Sequence, residues 1–573
     1  MTSAGDASGA TAAGQASETR QGIGVSPGSA AGPVVQVASP VEPPHDEAAA
    51  SDPAAAAEQA VAAFMRVAGA LDAKAMSADA TARDVLKATA MIARDRSLHR
   101  AVAKHLGTGQ GVATSIALSI DEFAAQFEAL GGYFAERVTD LRDVGSRAIA
   151  EVLGVPAPGV PEFTEPSIVV AEDLAPAETA TLDRSLVLGI VTRAGGRTSH
   201  TAILAAQMGI PAVVQLPDAT AIPNGTPIAI DGDTGIVVLR PDPGAVEAQR
   251  RTRERRDAAL AEVHGPGATA DGHPVALLAN IGGVEDAELA AAQDLEGVGL
   301  FRTEFVFLSA GTAPTVEEQT EIYRRVFAPF GARRVVVRTL DAGADKPLAF
   351  ADLGEEENPA LGRRGLRLSQ ARPDLLDAQL EALAAAAEAT GADVRVMAPM
   401  VATAAEARWF ADRVRAAGLG SAGVMIEVPA AALRAEQVLG AVDFGSLGTN
   451  DLAQYTMAAD RMQGELSDLL DPWQPAVLDV IAAAASGARA AGKPLGVCGE
   501  SAGDPLLALV LTGLGVGSLS MAPSKVPAVR LALAAHALVE CERLAALALA
   551  AESPEGARET VRAAIAPELA ELL

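Results

Sequence analysis

Aromatic side chains are scarce in this chain: they make up 3% of 573 residues, with two tryptophans and three tyrosines. Its cores must therefore be aliphatic, and with so much alanine they must be closely packed. Only two cysteines occur, Cys498 and Cys541. That number excludes a disulfide scaffold and fits a reducing, cytoplasmic setting. No apolar run approaches the ~20 residues that cross a bilayer, so no membrane partner is expected. Net positive charge is missing too. The formal charge is −28 at pH 7. A nucleic-acid surface needs a basic patch and none is visible, whereas an acidic surface suits a basic protein partner or simple solubility. An anionic substrate remains compatible if arginines cluster locally.

What is present is ordinary for a soluble globular protein, 49% hydrophobic and 21% charged, over a length sufficient for three or four domains. Residues 1–20 are rich in Ala, Gly, Ser and Thr, carry no basic-then-apolar leader pattern and read as a disordered tail. One histidine stands out. His200 follows Gly195-Gly196-Arg197-Thr198-Ser199 and precedes an Ala-rich stretch stopped by Gly209 and Pro211. The glycines free the backbone, the hydroxyl residues suit a helix N-cap, and Gly then Pro end the helix. The imidazole is thus expected near a helix N-terminus, where free N–H groups and the dipole favour a phosphate. The plain alternative is a capping histidine on an ordinary αβ turn. The surrounding motif favours a histidine that carries a phosphoryl group.

The chain divides by pattern. Residues 21–40 read as a strand, a Pro-Gly turn and a second strand. Between 41 and 145 the pattern is helical: Val61, Phe64, Met65, Ala68 and Leu71 recur at i, i+3, i+4, i+7, Leu98, Val102 and Leu106 mark another helix, and Phe123, Phe127, Leu130, Phe134, Val138 and Leu141 repeat the stripe. Strand-like runs return at 167–170 and 186–191, and a hairpin at 231–239 closes the region. Segments 21–40 and 146–243 therefore read as one split α/β domain with a helical bundle inserted into it. Residues 244–264 are polar and Arg-rich and read as a linker helix. From 265 to 573, eight short β-like runs (275–281, 298–302, 334–340, 394–399, 423–428, 442–447, 494–498 and 517–521) alternate with helix-length stretches. Eight βα units predict a closed (β/α)₈ TIM barrel. The fold class is thus multidomain α/β. The long segment 341–373, rich in Gly, Asp, Glu and Arg, is expected to be an active-site loop.

In such barrels chemistry sits at the C-terminal ends of the strands. Arg302 and Glu304 end the second run and Arg338 the third. Glu427 ends the fifth. Asn450, Asp451 and Arg461 follow the sixth, and Cys498 and Glu500 end the seventh. Singly, each is ordinary: arginines beside acids form surface ion pairs, Glu-Val-Pro suits a turn, and a buried Cys is a small hydrophobe. Together they converge. Arg302, Arg338 and Arg461 suit phosphate and carboxylate oxygens, and Lys346 and Arg364 of the long loop add charge. Glu427 and Asp451 offer hard oxygens for Mg²⁺. Cys498 can donate a proton.

The His200 run, together with segments 301–305, 337–341, 357–362, 448–455 and 496–500, resembles the Enzyme I family of the bacterial phosphotransferase system, the phosphoenolpyruvate–protein phosphotransferases. The resemblance implies that His200 accepts the phosphoryl group of phosphoenolpyruvate. Arg302, Arg338 and Arg461 would hold that substrate with help from Asn450. Glu427 and Asp451 would bind Mg²⁺, and Cys498 would protonate the enolate to pyruvate. The helical insert would dock the carrier protein HPr, whose own histidine takes the phosphate next, and the barrel would form a homodimer. In two places the chain departs from the family: Arg363 stands where an aromatic residue is common, with Arg364 after it, and Val428 stands where a small hydroxyl residue is common. Two rivals are disfavoured. A pyruvate phosphate dikinase or phosphoenolpyruvate synthase needs a nucleotide-binding domain, and no Gly-rich nucleotide loop precedes the insert. A non-catalytic phosphocarrier would have lost the site residues. The nitrogen branch of the family carries an N-terminal sensory domain, for which the tail is too short.

Overall fold

The computed structural model describes residues 17–573 apart from 27, 39–40, 78–79, 131–136, 156, 160, 162–163, 175–185, 197–200, 203–204, 206–208, 233, 309–311, 343–347, 349, 351–353, 355 and 462. The chain forms two compact units, Met1–Arg251 and Thr252–Leu573.

The first unit holds an eight-stranded sheet made of β1 (Glu18–Gln21), β2 (Ile23–Ser26), β3 (Ser29–Gln36), β4 (Ser167–Ala171), β5 (Val187–Thr192), β6 (Ala212–Val214), β7 (Pro227–Asp231) and β8 (Ile236–Leu239), in the order β1-β8-β7-β3-β4-β5-β6-β2. β3 to β6 pair parallel, with Val35 opposite Val169 and Val170 opposite Val191. β4 is buried at every position, as a central parallel strand with both faces covered must be. The segment before the helices thus shares one sheet with the segment after them. Residues 18–20, read from sequence as part of the tail, pair antiparallel with β8. β1 is a polar edge strand, and backbone pairing of that kind leaves no hydrophobic pattern to find.

Among the described residues, five helices lie between β3 and β4: Pro53–Ser77, Ala80–Ala93, Arg96–Leu106, Val112–Leu130 and Val138–Leu153. Phe64, Leu71, Leu98, Val102, Leu106, Ile116 and Leu141 form their common core. Helix Arg96–Leu106 shows how the sequence dictates this. Asp95 caps it by accepting from the Ser97 N–H, and Leu98, Val102 and Leu106 bury one stripe at i, i+4, i+8. The expected end of the bundle at residue 145 falls inside a helix. Val138–Leu153 continues because Ala148 and Ile149 still bury in the bundle core, and it stops where Gly154 takes φ 66°. Helix Pro243–Glu262 crosses the division between the units.

The second unit is a closed barrel of eight parallel strands: β9 (Ala276–Ile281), β10 (Gly297–Arg302), β11 (Arg334–Arg338), β12 (Asp393–Ala398), β13 (Ala422–Ile426), β14 (Phe444–Leu447), β15 (Leu495–Val497) and β16 (Ser518–Met521), with β16 pairing back to β9. One large aliphatic core fills the layer between strands and helices. A smaller one, Leu300, Val336, Met397, Met425, Phe444 and Cys498, fills the barrel interior. Helices start where the sequence signals them: Thr315 and Thr403 each form a capping box, with Glu318 and Glu406 respectively. Among the described residues no helix is long and apolar enough to cross a membrane.

Candidate active site

The C-terminal ends of the barrel strands carry a buried chain of alternating charges. Arg338 ends β11 opposite Arg302 of β10. Its guanidinium donates to Glu304 Oε1 at 2.8 Å and pairs with Asp341 Oδ2 at 3.2 Å. Arg364 spans the next step, 2.9 Å from Asp341 Oδ2 and 3.0 Å from Asp451 Oδ1. Arg461 stands 3.7 Å from the other Asp451 oxygen. Except for Arg461, these side chains are at most 10% exposed. Burial works against the charge on Arg338, but Glu304 and Asp341 outweigh it and raise its pKa. Burial likewise opposes the Asp341 charge, and Arg338 and Arg364 hold its pKa below the usual value. Along the network each charge faces its opposite.

Glu427 differs. It follows β13 and is fully buried. Its Oε1 accepts the Met400 N–H at 2.5 Å, and its Oε2 has no hydrogen-bond partner among the described residues. Burial first, then the negative Asp451 and Asp341, push its pKa up to about 8. Met400 reaches it from a left-handed backbone, φ 59°, a conformation that costs a non-glycine residue about 1 kcal/mol or more. A strained loop thus holds the carboxylate from one side. On the other, Gly448 leaves room, since a Cβ there would lie 2.6 Å from Oε2.

Asn450 and Cys498 complete the rim. Asn450 Oδ1 accepts the Glu500 N–H at 3.1 Å. This ties helix Thr449–Met457 to the turn Glu500–Gly503. Cys498 is buried in the interior core, its thiol 3.6 Å from the Leu447 carbonyl, and burial pushes its pKa up to about 11. It is therefore a protonated thiol at neutral pH. Arg302, in contrast, is exposed at the rim.

Asp341 and Gln379 were not expected as site residues, and Arg364 was expected only to add charge from the long loop. Asp341 links the two buried arginines, yet in sequence it only opens a long loop. Arg364, the residue after the departure at Arg363, is central, while Arg363 itself is exposed and pairs with Glu356. Gln379, mid-helix in Pro373–Thr390, supports the arginines from behind. It donates to Thr303 Oγ1 and Tyr323 OH and accepts the Leu340 N–H at 3.0 Å, and Thr303 in turn donates to the Arg338 carbonyl at 2.8 Å. One amide side chain among the acidic residues of an alanine-rich helix is its trace in the sequence. Lys346 lies outside the described residues.

His200 also lies outside them, as do Arg197, Thr198 and Ser199. The flanks of that segment are held firmly. Gly195 takes φ 94°, as the glycine pair suggested, and Gln215 donates to its carbonyl at 2.9 Å. On the other side the buried Thr201 hydroxyl donates to Asp173 at 3.0 Å. Gly195 and Thr201, on either side of residues 197–200, are therefore tied to Gln215 and Asp173.

Comparison with known proteins covers both units. Residues 256–538 match the PEP-binding domain of PEP-utilising enzymes, residues 163–235 their mobile domain and residues 21–137 their N-terminal region. The chain is 51% identical over 553 residues to the phosphoenolpyruvate-protein phosphotransferase of Streptomyces coelicolor, covering 96% of this chain and 100% of that one. It is 40% identical to the protein of the same description from Haloferax volcanii, over 82% of this chain and 85% of the other. The NMR solution structure of an Enzyme I protein (nEIt) matches 42% of this chain and 99% of its own, at 31% identity and a TM-score of 0.36.

Proposed function

We infer the working parts of the site from one premise: the chain belongs to the phosphoenolpyruvate–protein phosphotransferase family, and its activity is phosphoryl transfer from phosphoenolpyruvate to protein. The acceptor in this reading is His200. Its setting after two glycines at a helix start supports that role.

Phosphoryl transfer is mostly positioning and charge stabilisation. Arg302, Arg338 and Arg461 bind the phosphate and carboxylate of phosphoenolpyruvate, and Asn450 helps to orient it. Arg338 comes to this task already aligned by Glu304 and Asp341, so little reorganisation is needed when substrate arrives. A neutral His200 nitrogen attacks phosphorus. The new N–P bond forms as the P–O bond to the enolate breaks, and the enolate carbon takes the proton of the Cys498 thiol to give pyruvate. Solvent then returns a proton to the sulfur. A thiol that burial keeps protonated suits that step.

The donor set also fits a divalent cation. Glu427 presents a buried oxygen with no partner, and Asp451 stands in the same cluster. Among the described residues no group of three or more His, Cys, Asp or Glu side chains forms a ready-made metal cage. This agrees with the preference of Mg²⁺ for one or two carboxylates plus water and substrate phosphate. Glu427 and Asp451 would hold Mg²⁺, which when bound neutralises charge on the phosphate oxygens.

The downstream acceptor is HPr, docking on the helices between β3 and β4, and the route is the first step of sugar uptake by a phosphotransferase system. A homodimer built through the barrel and a cytoplasmic location belong to the same reading. The observation that carries it is the buried chain Glu304–Arg338–Asp341–Arg364–Asp451 at the catalytic end of the barrel. It is tested by incubating the protein with ³²P-phosphoenolpyruvate and Mg²⁺, with and without HPr. Acid-labile, alkali-stable label that passes to HPr is expected. Label from ATP alone would indicate a dikinase, and no label on a folded protein would indicate a carrier without catalysis.

A further inference from the structure

The barrel has an opposite end, where the strands begin. TIM-barrel interiors are ordinarily filled by layers of bulky branched side chains. Here two interior positions are glycines. A Cβ on Gly299 would lie 2.5 Å from Ser520 Oγ, and one on Gly496 would lie 2.4 Å from Ser518 Oγ. Small residues at these positions leave a cavity of about 100 Å³ lined by Arg334, Arg395, Phe444, Ser446, Ser518 and Ser520. One water needs about 10–15 Å³ of such space, so the cavity has room for several waters or a small anion.

Arg334 opens β11 and is half-buried, and its guanidinium makes no hydrogen bond or ion pair with another described residue. Its carboxylate neighbours are already engaged. Arg395 holds Asp393 at 2.6 Å, and Glu296 Oε2 accepts the N–H groups of Gly267 and Leu277 at 3.1 and 2.7 Å. Burial, and then the like charge of Arg395, lower the Arg334 pKa. The Ser518 hydroxyl also has no hydrogen bond to a described residue. The Arg334 donors therefore meet only solvent at the mouth of this cavity, next to a second guanidinium. An oxyanion there would give Arg334 an acceptor and offset the like charge of Arg395.

We propose that the N-terminal mouth of the barrel is a second anion site, in which Arg334, Arg395 and the Ser518 hydroxyl hold an oxyanion of about phosphate size. The interior layer of Leu300, Val336, Met397 and Met425 separates it from the charges at the catalytic end. Planar guanidinium forks match phosphate and carboxylate alike, so both are the shared chemistry of the ligand. The site does not depend on the roles assigned to the catalytic end.

Equilibrium dialysis of the full chain with ³²P-labelled inorganic phosphate tests it. Wild type is compared with Arg334→Gln and Ser518→Val at constant ionic strength. Any phosphate held at the catalytic end is common to all three and cancels in the difference. One phosphate per chain should be weakened at least tenfold in Arg334→Gln, in keeping with loss of charged hydrogen bonds. Ser518→Val, which fills the cavity without changing charge, should lose it as well. Succinate that displaces this phosphate would mark a carboxylate ligand, and succinate that does not would mark a phosphate ligand; either supports the site. Equal phosphate binding by wild type and both variants overturns it. Unchanged phosphoenolpyruvate-dependent labelling and unchanged circular dichroism show that the variants are folded.

Discussion

Arg364 Nη1 lies 3.0 Å from Asp451 Oδ1, and this pair joins the long segment after β11 to the helix after β14. The same guanidinium holds Asp341, so one side chain crosses the mouth of the barrel. Arg364→Ala leaves two buried carboxylates short of a partner. A loss of about 3–5 kcal/mol is expected, seen as an earlier unfolding midpoint of the barrel in urea. Arg364→Lys should recover part of it, since one ammonium cannot fork across two carboxylates. Identical midpoints for wild type and Arg364→Ala would show that the ion chain contributes nothing.

For His200→Ala, no acid-labile label from phosphoenolpyruvate is expected, while substrate binding to the barrel persists. The check pairs ³²P incorporation with calorimetric titration of phosphoenolpyruvate. Retained label in this variant would assign the acceptor to another residue.

Cys498→Ala removes the proton donor and leaves the arginines in place. Turnover to pyruvate should fall about 10²-fold or more with the affinity for phosphoenolpyruvate nearly unchanged. The measurement is a steady-state assay coupled to pyruvate reduction, and a larger change in KM than in kcat would move Cys498 out of the chemistry.

Glu427→Gln should separate activity from stability. Glu427 Oε2 is buried without a partner, and burial with Asp451 and Asp341 nearby already disfavours its charge, so a neutral amide of the same shape costs the fold little. The variant should therefore melt at or above the wild-type temperature while its activity falls and no longer responds to added Mg²⁺. A melting temperature several degrees lower would instead make Glu427 a structural anchor for the Met400 loop.

Alkaline pH should destabilise the fold through its cysteines. Burial raises both Cys498 and Cys541 to about 11, above the value in an unfolded chain. Below the unfolded pKa both states hold the proton and no difference arises. Between about pH 9 and 11 the unfolded state releases it and the folded state does not, so stability falls as pH rises. Thermal melts across that window should show the decline, and a double Cys498→Ala/Cys541→Ala variant should show a shallower one. Equal slopes would place the alkaline titration elsewhere.

Much of this was legible in advance, because local rules govern it. Short β-like runs separated by helix-length stretches marked the barrel strands to within a few residues, and the apolar stripe of Arg96–Leu106 marked its buried face. Strand-end positions then brought Arg302, Arg338, Glu427, Asn450, Asp451 and Cys498 to one rim, because barrel topology sends every strand end to the same face. β1 and the continuation of helix Val138–Leu153 were not legible: one is specified by backbone pairing alone, the other by contacts within a bundle.

The sequence by itself determined the elements, the closed barrel and the residue types at its catalytic end, since hydrophobic periodicity and glycine placement are local properties of a chain. Only the tertiary structure decided which charge meets which. Asp341 and Arg364 are 23 residues apart, and Arg364 and Asp451 are 87 apart; no local rule pairs them. Nor could the sequence show that Arg338 meets Glu304 and Asp341 while Glu427 Oε2 is buried without a hydrogen-bond partner. Coulomb energy and desolvation depend on distances through space, and those exist only once the barrel has closed.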